Sequence, residues 1–263
     1  MKKLISLILV AVMLLTFAAC GAKTDADTAS KADNDSGLTT IVDGKLTMGT
    51  NATFPPYEYT DDKGNIVGID AEIAKAVADK LGLELVIKDM EFDSLLTAVQ
   101  SNSIDVVFAG LTVNDERKQA VDFSVTYAQG VQVIIVPEDS KITDLDGLST
   151  AKIGVQTGTT GDIYCTDEFG QENVKQFANG ALAVAALANK QIDCVVIDNE
   201  PAKAFVAANK GLKILETEYA VEDYAAAISK KNPELKAAID KAMKELKEDG
   251  TIDKIIAKYI KAE

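Results

Sequence analysis

The residue of this sequence with the most distinctive chemistry is Arg117. It is the only arginine among 27 lysines and arginines, so every other cation is a lysine. It follows Thr112 in a polar turn after the apolar run 106–108, a run typical of a buried strand. In open α/β sheets, ligands bind at this carboxyl end of the strands. A planar guanidinium can hold a carboxylate through two parallel hydrogen bonds. A structural arginine that ties the turn to a helix end is the alternative.

The composition excludes several classes of function. With 263 residues, 47% of them hydrophobic, the chain can bury one large core or two moderate ones. A formal net charge of −14 argues against nucleic-acid binding. The chain contains no histidine, which excludes Ser-His-Asp and Cys-His catalysis and histidine-based metal sites. We therefore expect neither a metal nor a cofactor.

The first 20 residues resemble a bacterial lipoprotein signal peptide. The apolar segment Leu4–Phe17 follows two lysines and is too short for a permanent transmembrane helix. Two alanines then precede Cys20, whose thiol would carry the lipid and hold the protein at a membrane surface. An ordinary secretory signal with an incidental cysteine is the alternative. Residues 21–37 are small and polar, which predicts a disordered tether.

From Lys45 onward the sequence alternates strand and helix patterns, which favours an α/β fold with parallel strands. The first half predicts strands at 45–50, 83–87 and 105–109, with helices at 68–82 and, capped by Asp93, at 94–101. The second half predicts strands at 152–155, 174–177 and 192–197, with a helix after residue 161 and another at 181–189.

Individual residues repeat between the two halves at an offset of 88 positions (98 to 186, 105 to 193). The segments concerned are Ala98-Val99 with Ile104-Asp105-Val106-Val107, and Ala186-Leu187 with Ile192-Asp193-Cys194-Val195. At this offset Gly110 corresponds to Asp198. Two lobes of one architecture would therefore each present a strand end to the same cleft.

The C-terminal part of the sequence predicts a strand at 224–228 and helices at 232–249 and 251–260. Each half already has its three strands with their helices, and these two helices have no place in that repeated unit. We therefore assign them to the first lobe. Lobe 1 then comprises 38–127 and 226–263, and lobe 2 comprises 128–225. The chain would cross between the lobes near 126–133 and 222–227, and two such strands make a hinge.

Seven segments resemble the polar amino-acid-binding proteins of ABC importers, in the order in which that family has them. They are Gly49-Thr50-Asn51-Ala52-Thr53-Phe54-Pro55-Pro56-Tyr57-Glu58-Tyr59, Gly68-Ile69-Asp70, Met90-Glu91-Phe92-Asp93, Ala109-Gly110-Leu111-Thr112 with Asp115-Glu116-Arg117-Lys118, Asp122-Phe123-Ser124, Gly154-Val155-Gln156-Thr157-Gly158-Thr159-Thr160 and Ile197-Asp198-Asn199. The resemblance covers about residues 38–260. It implies a two-lobe periplasmic-binding-protein-like fold, in which each lobe is a mostly parallel sheet flanked by helices and a two-strand hinge joins the lobes.

The same resemblance implies a binding protein that is not an enzyme. A dehydratase-like enzyme and an amino-acid sensor domain, which share the fold, are the alternatives. The expected partners are a free amino acid and an ABC permease in the membrane. The protein would be a monomer, extracytoplasmic and anchored through the lipid on Cys20.

The resemblance also implies where the two charged groups of an α-amino acid would bind. Arg117 would take the carboxylate, helped by the N–H of Thr112 and by Thr159 and Thr160 at a helix start. The ammonium would meet the carbonyl of Gly110, which follows Ala109, the hydroxyl of Thr112 and, from the other lobe, Asp198. Asp198 could equally be a cap on the helix that starts near residue 200.

The ligand's side chain would contact Phe54 and Phe92, although core packing is the commoner role of a phenylalanine. Asn51 and Gln156 are neutral amides in the same region, which favours a polar uncharged side chain such as that of glutamine or cystine. Arginine or lysine comes second. Cys165 and Cys194 permit a disulfide, but Cys194 lies in an apolar strand and we expect an unpaired thiol.

Replacing Arg117 with lysine is expected to weaken ligand binding about tenfold or more, because one ammonium cannot reproduce two parallel hydrogen bonds. Calorimetric titration of the variant measures this loss. An unchanged affinity would remove Arg117 from the binding site.

Overall fold

The computed structural model describes residues 37–215 and 217–261. The predicted signal peptide with Cys20, and the tether apart from Gly37, lie outside these residues. Within the described ranges, no helix is both long enough and apolar enough to cross a membrane.

This part of the chain contains fourteen strands and eight α-helices. In order, the strands are β1 (Lys45–Thr50), β2 (Thr53–Phe54), β3 (Glu58–Thr60), β4 (Ile66–Val67), β5 (Glu84–Asp89), β6 (Val106–Val107), β7 (Asp122–Phe123), β8 (Ala128–Pro137), β9 (Ile153–Gln156), β10 (Val174–Phe177), β11 (Cys194–Asp198), β12 (Leu212–Ile214), β13 (Ala220–Tyr224) and β14 (Ala227–Ile228). The helices are α1 (Ile69–Leu81), α2 (Leu95–Gln100), α3 (Asp115–Ala120), α4 (Thr160–Phe169), α5 (Gly180–Ala188), α6 (Asn199–Ala208), α7 (Pro233–Glu248) and α8 (Thr251–Tyr259).

The first lobe is built on a five-stranded sheet with the order β5-β1-β6-β14-β7. β1 pairs in parallel with β5 and β6, whereas β14 is antiparallel to its two neighbours. The C-terminal helices α7 and α8 contribute Ile239, Met243 and Ile252 to the same apolar core as Leu46 and Met48 of β1. The C-terminal helices therefore pack in the first lobe.

The second lobe contains a six-stranded sheet with the order β10-β9-β11-β8-β12, and β13 also pairs with β8. β9 is parallel to β10 and β11, and β8 is antiparallel to β11. Successive residues of β8 belong to different apolar clusters: Ile135 packs with Val195, and Ile134 packs with Val196. Because successive strand residues point to opposite faces, both faces of this sheet are buried.

Asp105 and Asp193, matched at the offset of 88, make the same contacts in their two lobes. The Asp105 carboxylate accepts a hydrogen bond of 2.8 Å from the backbone N–H of Thr47, at the first strand of its lobe. The Asp193 carboxylate accepts one of 2.7 Å from the N–H of Lys152, directly before β9. Each aspartate also donates its own N–H to the carbonyl of that same partner. The predicted repeat of architecture is confirmed in these contacts.

Two antiparallel strands, β8 and β13, run where the chain passes between the lobes, with Ala128 opposite Tyr224 and Gln132 opposite Ala220. The single strand predicted at 224–228 is wrong. Tyr224 ends β13 beside β8, while Ala227 already pairs with both neighbours in the first sheet. The chain changes sheets between these two residues. The residue boundaries of the lobes stay a prediction.

Two local predictions also differ from the structure. Asp93 does not cap the helix that follows, because it lies within a 3-10 turn, Phe92–Ser94, and α2 begins without a side-chain cap. The strand predicted at 105–109 is only two residues long, since the chain turns at Gly110, whose φ is +51°. Cys165 and Cys194 are both free and buried, as expected for unpaired thiols.

Gly68, the N-cap of α1, is the tightest backbone approach near the cleft. Its φ is +127°, and a β-carbon there would lie 2.3 Å from the carbonyl oxygen of Tyr57. Gly68→Ala is therefore expected to lower the free energy of unfolding by about 3 kcal/mol or more. Urea denaturation measures this change. Gly64→Ala is the matched control, because Gly64 also has a positive φ but faces open space. Equal losses in the two variants would contradict the steric argument.

Candidate functional site

A small cavity, with an empty volume of about 350 Å³ that includes open solvent at its mouth, lies between the two lobes. Its walls combine two phenylalanines with a set of polar groups from both lobes. The lining residues are Asn51, Phe54, Glu58, Phe92, Ala109, Gly110, Thr112, Arg117, Gln132, Gln156, Thr159, Thr160 and Tyr224. The structure thus brings together ten of the predicted site residues. Asp198 is not on the wall, and Glu58, Gln132 and Tyr224 are additional.

Arg117 lies in the first turn of α3, where Asn114 caps the helix by accepting the Arg117 N–H at 2.8 Å. Its guanidinium is 5.6 Å from the centre of the Phe92 ring. Nη1 donates to the carbonyl oxygen of Thr112 at 2.8 Å, and Nη2 donates to that of Gly158 at 3.0 Å. Thr112 belongs to the first lobe and Gly158 to the second. The Arg117 side chain therefore stabilises its own turn and also links the two lobes.

The guanidinium is a nearly buried charge, since Arg117 is only 5% exposed. Burial lowers its pKa, and the carboxylate of Glu222 acts most strongly in the opposite direction. A guanidinium has five N–H donors, of which the two carbonyls take two. The remaining donors are available to an anionic group in the cavity.

Glu222, on the crossing strand β13, is a residue of the candidate site that sequence reasoning missed. Its Oε2 accepts hydrogen bonds from Thr112 (3.2 Å), Gln132 (3.0 Å) and Thr160 (2.9 Å). Its Oε1 accepts one of 2.9 Å from the Tyr164 hydroxyl. Three of these four donors, Thr112, Gln132 and Thr160, also line the cavity. The signal available in the sequence was an acidic residue in a predicted crossing segment, which does not by itself indicate burial.

The N-terminus of α4 forms part of the second lobe's wall. Thr159 is its N-cap and accepts the N–H of Asp162 at 3.2 Å, and Asp162 in turn accepts the N–H of Gly158 at 2.9 Å. The hydroxyl of Thr159 donates to the carbonyl of Gln156. Because both threonine hydroxyls, that of Thr160 included, donate within the protein, this helix end offers a ligand the backbone N–H groups of its first turn.

Asp198 lies at the end of β11, behind the cavity wall. It caps α6 by accepting the N–H of Glu200 at 3.2 Å, so the capping alternative is correct. Its Oδ2 also accepts the N–H of Val131 at 2.9 Å and the hydroxyl of Tyr224 at 2.6 Å. Tyr224 itself lines the cavity and thus connects Asp198 to it. Burial raises the pKa of Asp198 to about 7, although the Tyr224 hydrogen bond opposes this shift.

The predicted amide pair joins the lobes across the cavity wall. Nε2 of Gln156 donates to Oδ1 of Asn51 at 3.0 Å, and the same oxygen accepts the Thr53 hydroxyl. Nδ2 of Asn51 donates to the carbonyl of Met90 at 2.9 Å. Each amide thus spends part of its hydrogen-bonding capacity within the protein, which reduces what it can offer to a ligand.

The raised pKa of Asp198 predicts a pH dependence of stability. Since the folded state holds this proton more tightly than the unfolded chain, its contribution is largest below the ordinary aspartate pKa and is lost as the pH rises to about 7. Asp198→Asn does not titrate and keeps Oδ1 as the cap of α6. Its Nδ2 replaces the oxygen that accepts from Val131 and Tyr224, a loss that is the same at every pH. Between about pH 4 and 7, the variant should therefore lose less stability than the native protein, by on the order of 3 kcal/mol. Parallel pH profiles of urea denaturation would contradict the shift.

The sequence is similar to proteins that bind amino acids outside the cytoplasm. A probable histidine-binding protein of Neisseria gonorrhoeae is 34% identical over 270 residues, covering 100% of this chain and 97% of the relative. The arginine-binding extracellular protein ArtP of Bacillus subtilis is 32% identical over 268 residues, covering 100% of both chains.

The solved structures that this chain resembles also include amino-acid-binding proteins. An ancestral arginine-binding protein bound to glutamine is 42% identical, with a TM-score of 0.79 over 84% of this chain and 100% of that one. An ancestral arginine-binding protein bound to arginine has a TM-score of 0.78 at 42% identity, over 82% of this chain and 98% of that one. The model of the bacterial extracellular solute-binding proteins, family 3, matches residues 46–262, and the chain belongs to that family.

Proposed function

We propose that this protein captures an amino acid outside the cytoplasm by closure of its two lobes and delivers it to an ABC permease. The observation that carries the proposal is the single buried guanidinium of Arg117 at the cavity wall, bonded to both lobes. Such a group provides the bidentate recognition that a carboxylate requires. Family membership supports the transport role.

The carboxylate of the amino acid would bind Arg117 and the first-turn N–H groups of α4. The ammonium would bind the carbonyl of Gly110 and the hydroxyl of Thr112. Asp198 would act on the ammonium through Tyr224, whose hydroxyl it accepts at 2.6 Å. Because these groups belong to both lobes, binding and closure would be one event.

The charges around the cavity favour a ligand with a cationic side chain. Among the described residues, Arg117 is the one cation on the wall, whereas Glu222 directly behind the wall and Asp70 behind Gly110 are carboxylates. An amino acid with a net positive charge balances this set better than a neutral one. This balance reverses the order of ligands that Asn51 and Gln156 suggested. Arginine is therefore the first candidate, in line with the arginine-binding relatives, and glutamine is the second.

The sequence before the described residues supports an anchored receptor. A lipid on Cys20 would hold the protein at the outer face of the cell membrane. The polar tether 21–37 would let the monomeric two-lobe body reach the permease.

A thermal-shift screen of residues 21–263, unfolded and refolded to remove carried ligand, tests the proposal. A ligand at 100 times its dissociation constant stabilises the folded state by about 2.7 kcal/mol, which raises the melting temperature measurably. We expect such a rise with L-arginine and a smaller one with L-glutamine. Agmatine, which is arginine without its carboxylate, is the matched control and should give no rise. Equal rises with agmatine and arginine, or none with any L-amino acid, would contradict the proposal.

A further inference from the structure

Glu58 and Asp70 are two buried carboxyl groups that the proposed binding mode does not use. Glu58 is 1% exposed and lines the cavity, and Asp70, in the first turn of α1, is fully buried. Oδ2 of Asp70 accepts the N–H of Gly110 at 2.7 Å and the hydroxyl of Tyr127 at 2.8 Å. Among the described residues, Oδ1 of Asp70 and both oxygens of Glu58 have no hydrogen-bond partner.

One shared proton accounts for these oxygens. The side chains of Glu58 and Asp70 lie within hydrogen-bonding reach of each other. Two ionised carboxylates would repel each other and neither could donate, whereas a protonated Glu58 can donate to the unpartnered Oδ1 of Asp70. Burial raises the pKa of Glu58 well above its ordinary value, and the charges of Asp70, Asp198 and Asp89 act in the same direction. Burial raises the pKa of Asp70 only to about 6, because Gly110 and Tyr127 donate to it. At neutral pH the proton therefore resides on Glu58.

The other ionisable groups around the pair leave this assignment unchanged. Tyr57 and Tyr127 face it, and burial raises the pKa of both, so they stay neutral. The pair consequently carries one negative charge, centred on Asp70, directly behind Gly110.

Glu58 lines the cavity together with Phe54 and Gly110. Glu58 pairs with Phe54 across the short β2–β3 hairpin, and the Phe54 ring packs against Gly110. Once one oxygen donates to Asp70, the other is left without a hydrogen-bond partner among the described residues, in a side chain that lines the cavity. We propose that Glu58 is a ligand-contacting residue, kept neutral by sharing a proton with Asp70, whose free oxygen accepts a hydrogen bond from the ligand's ammonium. This inference rests on the proposed function.

Calorimetric titration of two variants of Glu58 with L-arginine and L-glutamine tests the contact. In Glu58→Gln an amide N–H replaces the donor to Asp70 and the carbonyl replaces the acceptor, so the affinity should stay within about threefold. Glu58→Met removes both at similar size, and should weaken both amino acids by about tenfold or more, since they share the ammonium. Glu248→Gln, at an exposed site, is the control and should bind normally. Unchanged affinity in Glu58→Met, or a loss for one amino acid alone, would overturn the contact.

Infrared spectroscopy of the native protein tests the shared proton without relying on Glu58→Met. At about pH 7.5, where ordinary glutamates are ionised, we expect a carboxylic C=O band that Glu58→Gln abolishes. L-Arginine should shift this band to lower frequency, because a carbonyl that accepts a hydrogen bond is weakened. A merely structural Glu58 would leave the band unmoved.

The outcomes separate this inference from the proposed function. Absence of a band that depends on Glu58, or a band that L-arginine leaves unchanged while it binds, overturns the inference alone. If the native protein binds no L-amino acid, the proposed function fails and the ammonium contact falls with it, while the band still reports the shared proton.

Discussion

A buried guanidinium between two lobes is costly unless anions or dipoles compensate it, and the structure around Arg117 is arranged to do this. The carbonyls of Thr112 and Gly158 accept its N–H groups from opposite sides of the cleft. Glu222 lies close enough to act on its pKa. The hydrogen bonds from Arg117 to these two carbonyls link the lobes. They leave other N–H groups of the guanidinium for a ligand carboxylate, which is a stronger acceptor than a carbonyl because it is charged. The same charge thus favours closure and creates the demand for an anionic ligand.

The crossing strand β13 connects this charge to the hinge. It carries Glu222, which accepts hydrogen bonds from the first lobe through Thr112 and from the second through Thr160. Two residues further on, Tyr224 lines the cavity and bonds to Asp198. Since these side chains belong to a strand that passes between the lobes, relative motion of the lobes must rearrange the cavity wall. Coupling between ligand binding and closure therefore has a physical basis in the strand itself.

Much of this arrangement was predictable from the sequence, because strand and helix periods mark the elements and a single arginine marks the cavity. The repeated Ile-Asp motif correctly identified Asp105 and Asp193 as equivalent. The burial of Glu222 and of Glu58 could not be found in this way, since an acidic residue is normally exposed and its burial depends on the packing of distant segments. The capping role of Asp198 was one of two readings that local sequence left open. Asp198 lies behind the cavity wall because Tyr224, which lines the cavity, donates its hydroxyl to it, and local sequence does not show this contact.

A crystal structure of the complex with L-arginine would test the account most directly. We predict a closed protein with the ligand carboxylate within hydrogen-bonding distance of two Arg117 nitrogens, and the ammonium beside Gly110. The Nη2 bond to the Gly158 carbonyl would be weakened or exchanged for the ligand. A ligand bound in the reverse orientation, with its carboxylate away from Arg117, would contradict the central role of this guanidinium.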